Sequence, residues 1–388
     1  MDEAIEEDDG ARIDAIAAEI AGERRRQVAR WGRQDHPSIG PAGTEPFVPV
    51  ARTWRAINDA RMESGAHSWD AILLEEVFEA LVEVDPARRR SELVQVAAVA
   101  AAEIEAIDRF GVQRSGPLVS PDELAANLER FTVLDVRYVQ GGPPGREEHL
   151  AGHVPGAAYV DLDEDLADPP GVGGRHPLPD EARFEAAMRR VGVRNDRPVV
   201  VYDDWQGRAA ARAWWLLRHH GHPDVRVLDG GWTAWLADGH AAEAGETGTE
   251  PGDFVVAALK QMAAVEADAV PSVDVLVDAR APERFAGETE PVDPVAGHIP
   301  GAVNVPTTEN LDERGRFRSP ASLRRAYARV GADASDSVAA YCGSGVTAAH
   351  DVLAMEVAGI RAALYPGSWS GWITDPSRPI ETGPGADA

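Results

Sequence analysis

Cysteine is nearly absent from these 388 residues: Cys342 is the only one. A single thiol excludes an internal disulfide and any metal site built on several cysteines. Lysine is equally scarce, Lys260 standing alone, and aromatic residues make up only 6%. Basic residues are outnumbered, 38 against 65 acidic ones, for a net charge of -27. Such a surface repels nucleic acid and anionic membrane, so neither is expected as a partner. An anionic substrate would therefore need a local positive pocket. Long apolar runs are missing too, which argues against a transmembrane helix. The start, MDEAIEEDDG, lacks the basic-then-apolar layout of a signal peptide, and a cytoplasmic location is expected.

A chain of this length is expected to hold two or three domains. Residues 1–115 read as an all-α domain. RIDAIAAEIAGERRRQVARW has apolar positions at helical spacing, and SWDAILLEEVFEALVEVD and RRRSELVQVAAVAAAEIEAID make a second and a third helix. Asp85-Pro86 marks the turn between the last two, and GRQDHPSIGPAGTEPFVPV between the first two reads as a loop. GVQRSGP (Gly111–Pro117) reads as a linker.

Beyond it, short β-branched runs alternate with helical patterns, the layout of a parallel sheet covered by helices. This α/β part is repeated. VLDVR (Val133–Arg137) recurs as LVDAR (Leu276–Arg280), and AGHVPGA (Ala151–Ala157) as AGHIPGA (Ala296–Ala302). VVVYDDWQGRAAA (Val199–Ala211) matches VAAYCGSGVTAAH (Val338–His350), and LDGGWTAW (Leu228–Trp235) matches LYPGSWSGW (Leu364–Trp372). Matched landmarks in the same order mean duplication. Two tandem α/β domains, 116–240 and 254–388, are expected, joined by the acidic stretch Gly239–Asp253.

In the second copy DSVAAY reads as a strand and GVTAAHDVLAMEVAG as a helix, so Cys342 stands at a strand's C-terminal end before a helix. Open α/β sheets place their ligand sites there. Gly343 and Gly345 let successive backbone N–H groups turn toward one centre, and the helix dipole adds partial positive charge. Such a setting favours a thiolate, the reactive form of cysteine. The other reading of a lone cysteine in an apolar stretch is inert core. The flanking glycines and the strand-end position favour the nucleophile.

The stretch CGSGVTA, with GHIPGA upstream, resembles the active-site loop of rhodanese-type sulfurtransferases, and the likeness spans roughly residues 117–385. The resemblance implies a tandem pair of α/β domains of which only the second bears the cysteine; Asp203 stands at that place in the first copy. It implies sulfur transfer from 3-mercaptopyruvate or thiosulfate, through a Cys342 persulfide, to cyanide or a thiol acceptor such as thioredoxin. CGSGVT is similar to the mercaptopyruvate version of the loop. The same resemblance makes Ser344 and Asp163 catalytic partners of Cys342. It assigns substrate binding to Arg212, His176, Trp369 and the loop residues Gly343, Gly345, Val346 and Thr347. His153 and His298 occur in both copies and read as structural. No cofactor is implied for sulfur transfer. Cysteine phosphatases share a related loop but need an arginine where this chain has Ala348.

The helical part has Glu75, Glu76 and Glu79 at helical spacing and Glu92 on the next helix. With RWGRQDHP upstream, it resembles the MazG-like all-α nucleotide pyrophosphohydrolases. That likeness implies Mg²⁺ on Glu76, Glu79 and Glu92 and a homodimer through the helical domain. Gln95 replaces the family's final acid, and a charged, solvated helix face is the alternative. A persulfide carrier or sensor with the helical part as effector is the competing reading of the whole chain.

Overall fold

The computed structural model describes residues 2–33, 35–40, 43–63, 68–110 and 116–385. The chain divides into two compact units, Met1–Ser115 and Gly116–Ala388. Most of the expected linker, Gly111–Ser115, lies outside the described residues.

Among its described residues the first unit has four α-helices: α1 (Asp2–Trp31), α2 (Val48–Glu63), α3 (Trp69–Val82) and α4 (Pro86–Phe110). Three were expected; α2 is the addition, and it begins inside the stretch read as a loop. Pro49 sits in its first turn, where a missing N–H costs nothing, and Trp54 and Ile57 continue a helical spacing. Asp85 accepts the N–H groups of Ala87 and Arg88 at 3.0 and 2.9 Å, so the residue expected in the turn is the cap of α4.

The second unit is built on two wholly parallel sheets. The first comprises β1 (Leu118–Val119), β2 (Thr132–Asp135), β3 (Ala158–Tyr159), β4 (Val199–Tyr202) and β5 (Val225–Leu228), in the order β1-β5-β4-β2-β3. The second comprises β6 (Val275–Asp278), β7 (Val303–Asn304), β8 (Val338–Tyr341) and β9 (Ala363–Leu364), in the order β7-β6-β8-β9. The central strands β4 and β8 are buried at every residue, as strands covered on both faces must be. An isolated bridge between Ala264 and Leu364 stands where the first sheet has β1. The helices Arg208–His219 and Thr347–Val357, one from each repeat, belong to a single apolar core that joins the two sheets.

The second repeat starts later than residue 254. Phe254 is buried against Phe184, and its N–H reaches Val193 O at 3.1 Å. Ala257 and Gln261 donate to His220 O and His219 O. The connector therefore stays on the first repeat until about the Ala264 bridge. An apolar residue ending an acidic linker is what anchors it.

Candidate active site

Cys342 follows β8 directly, and its side chain is 1% exposed. Gly345 donates its N–H to Cys342 Sγ at 3.2 Å. Gly345 has φ +80°, and a Cβ there would fall 2.3 Å from Pro366 O, so only glycine fits. The loop is fixed from behind. Cys342 N–H donates to Ser368 Oγ at 3.0 Å, while Trp369 and Ser370 donate their N–H groups to Cys342 O and Gly343 O, both at 2.9 Å.

Ser344 lies two residues past the thiol, 8% exposed, with its Oγ 2.7 Å from His176 Nδ1. His176 Nε2 lies 3.1 Å from Asp163 Oδ1. A carboxylate accepts only, so Nε2 carries the proton, and Nδ1 is left to accept from the Ser344 hydroxyl. Burial pushes His176 below its ordinary value, with Arg212 and Arg175 acting in the same direction and Asp163 opposing them. The imidazole is therefore neutral near pH 7 and free to take a proton at Nδ1. Asp163 and His176 come from the first repeat and Ser344 from the second, so this chain of bonds crosses the junction between them.

The model for the rhodanese-like domain matches residues 120–238 and again 257–375. The chain belongs to the rhodanese family. The chain is 43% identical over 279 residues, 70% of this chain and 98% of the relative, to a putative thiosulfate sulfurtransferase, SseB, of Mycobacterium tuberculosis. It is 46% identical over 281 residues, 69% of this chain and 99% of the relative, to a probable 3-mercaptopyruvate sulfurtransferase of Pseudomonas aeruginosa. The solved structure of SseA from Escherichia coli, described as a 3-mercaptopyruvate sulfotransferase with the rhodanese fold, matches with TM-score 0.58 and 34% identity. It covers 66% of this chain and 99% of that one.

Within this rhodanese frame a cavity of about 250 Å³ opens between the repeats. Cys342, Gly343, Ser344, Val346, Thr347 and His176 line it, together with Tyr138, Trp205, Arg175, Arg208, Arg280 and Arg284. The positive pocket thus exists, but Arg212 does not supply it. Arg212 is 0% exposed and points behind the loop, donating to the carbonyls of Gly345, Leu166, His176 and Pro177 at 3.2–3.4 Å. Burial lowers its pKa to about 10. Its apolar helix, ARAWWLLR, carries it inward, where it clamps the thiol loop to the His176 segment.

Trp369 does not line the cavity either. It is fully buried in the second repeat's core, its indole N–H donates to Val295 O at 2.8 Å, and Arg280 lies over its ring. Gly343 leaves room for a cation. A Cβ there would fall 2.7 Å from Arg175 Nη2, so the bare backbone lets that arginine lie across the loop. His153 and His298 donate their Nδ1–H groups to backbone carbonyls, His149 O and Phe285 O, both at 2.8 Å, away from the cavity.

In the helical unit the carboxylate oxygens of Glu76, Glu79 and Glu92 lie within 4.8 Å of one another. Glu79 accepts an ion pair from Arg55 of α2, and Asn58 donates to Glu75 at 2.6 Å. Gln95 donates to Glu92 at 2.8 Å. Glu76 Oε2 is buried with no partner among the described residues, and burial first, then the neighbouring glutamates, raise its pKa.

Proposed function

We propose that this chain is a sulfurtransferase that moves sulfane sulfur from 3-mercaptopyruvate or thiosulfate to a thiol or cyanide through a Cys342 persulfide. One observation carries the reading: the lone thiol takes a backbone N–H bond at the strand end while Ser344, His176 and Asp163 converge beside it. The thiolate attacks the donor's sulfur, the carbon–sulfur bond breaks, and its electron pair leaves as the enolate of pyruvate. The donor's thiol proton passes through Ser344 to His176 and returns to the enolate carbon. From thiosulfate the leaving group is sulfite and no proton moves. The outer persulfide sulfur then passes to the acceptor, and the thiolate is restored. Sulfur is the nucleophile and the leaving groups are stabilised anions, so no cofactor is needed. A small thiol or reduced thioredoxin is the acceptor we favour, and a reducing compartment such as the cytoplasm suits the free thiol. Among the described residues no helix is long and apolar enough to cross a membrane.

The test feeds each donor, with cyanide, to wild type and to Cys342→Ser. Thiocyanate formation lost in the variant supports the reading; formation that survives contradicts it.

A second reading concerns the helical unit. The unpartnered Glu76 oxygen beside Glu79 and Glu92 fits a divalent cation, with Mg²⁺ held by oxygen ligands. Arg55 and Gln95 already occupy part of that donor set, so the fit is partial. Exposed Ile13, Ile20, Leu93 and Val94 on α1 and α4 suit a homodimer through this unit. Mg²⁺ calorimetry on wild type and Glu76→Gln tests the first point, and light scattering tests the second.

A further inference from the structure

Four arginines line the cavity around Cys342, and three are already neutralised. Arg175 is paired with Asp293. Arg284 binds Glu290 at 2.6 Å and Asp293 at 3.4 Å, and Arg280 binds Asp278 at 2.6 Å and Glu290 at 3.4 Å. Arg208 differs. Among the described residues it has no carboxylate within ion-pair distance, and its only hydrogen-bond acceptor is Thr307 Oγ1, at 3.4 and 3.5 Å. These are long bonds that leave most of its donors free. The guanidinium is half-buried and lies 5.4 Å over the ring of Trp205. Trp205 in turn packs against Tyr138 with ring centroids 5.7 Å apart. A partly desolvated cation on an aromatic wall, facing a cavity with a nucleophile, is built to receive an anion.

Trp205 lies in the loop of the first repeat that carries Asp203 in place of the cysteine, and Arg208 is the first residue of the helix that follows it. Duplication aligns Trp205 with Ser344 and Arg208 with Thr347. The two loops face one cleft, so a donor bridging them meets sulfur chemistry on one side and a cation on the other.

We propose that the cysteine-less loop is the donor-recognition subsite, in which Arg208 binds the carboxylate of a short 2-oxo acid thiol and Trp205 flanks its planar body. The inference rests on the sulfurtransferase reading and assigns it a substrate class. A planar carboxylate matches the fork of a guanidinium, and its negative charge meets the one pocket arginine not already cancelled.

The experiment compares 3-mercaptopyruvate with mercaptoacetone, the same mercapto-ketone with a methyl in place of the carboxylate. Wild type, Arg208→Gln, Arg208→Lys and Thr307→Val are measured with both. Arg208→Gln should raise KM for mercaptopyruvate about tenfold or more, leave kcat within about twofold, and leave mercaptoacetone turnover unchanged. Lysine should restore part of the loss, and Thr307→Val, which keeps the charge but frees the side chain, should raise KM a few-fold for mercaptopyruvate alone. Pyruvate should weaken as an inhibitor in step. Mercaptopyruvate KM unchanged in both Arg208 variants, or equal losses with both donors, would overturn the assignment. Wild type that places no sulfur on Cys342 from any donor would instead sink the sulfurtransferase reading beneath it.

Discussion

The loop after β4 and the loop after β8 begin alike, each on a tyrosine paired across the sheet with an aspartate, Tyr202 with Asp135 and Tyr341 with Asp278. Both tyrosine hydroxyls accept a backbone N–H, from Val154 at 3.0 Å and Ile299 at 3.1 Å. One residue on, the copies part. Asp203 turns its carboxylate into its own loop and accepts the N–H groups of Trp205 and Gly207 at 2.8 Å and of Ala210 at 2.9 Å. Burial raises its pKa while those backbone bonds pull it down. The cradle in the first copy is filled by the protein's own oxygen anion. In the second copy the same turn holds a sulfur that receives a single N–H. One loop is stabilised by its side chain; the other is left with bonding capacity that a reaction can use.

That contrast orders the predictions. The largest effect belongs to the proposed proton relay, which reaches the thiol through Ser344 of the second loop: His176→Ala should cut kcat with mercaptopyruvate by about 10²–10⁴-fold, and thiosulfate, which has no proton to move, should lose far less. Gly345→Ala forces a Cβ against Pro366 O and moves the N–H away from sulfur; kcat/KM should fall about 100-fold. Asp203→Ala strips the acceptors from buried N–H groups and should cost about 3 kcal/mol in denaturant unfolding. Cys342→Ser should cost far less stability, and a loss as large as that of Asp203→Ala would break the comparison.

The pH profile sharpens it further. With His176 as the proposed neutral base, activity should be kept above its depressed pKa and lost as pH falls through it, below the ordinary histidine range. Asp163 raises that pKa, so Asp163→Asn should move the acid limb to still lower pH. The smallest effect is at Gln206, which aligns with Gly345 and sits at φ 60°. Gln206→Gly relieves left-handed strain, and unfolding should show a gain of up to about 1 kcal/mol.

The duplicated fold and the thiol loop were legible because strand ends, glycines and repeated motifs are local patterns. Ser344, His176 and Asp163 were named through resemblance, and they meet across a junction that no local pattern describes. Arg212 and Trp369 were misplaced because alignment gives a residue's position along a helix or turn but not the face it presents. The apolar neighbours of Arg212 were the available signal that it points inward. The cavity's real cations were missed: Arg175 adjoins His176, Arg280 closes the repeated LVDAR motif, and Arg208 stands where the other copy has threonine. Helix α2 was hidden because its proline lies in the first turn of a helix rather than in the loop before it.

The most direct test is intact mass spectrometry of wild type and Cys342→Ser after brief exposure to mercaptopyruvate without acceptor. The account predicts one added sulfur atom on wild type, removed by cyanide, and none on the variant. Sulfur retained on Cys342→Ser, or none on wild type, would contradict it.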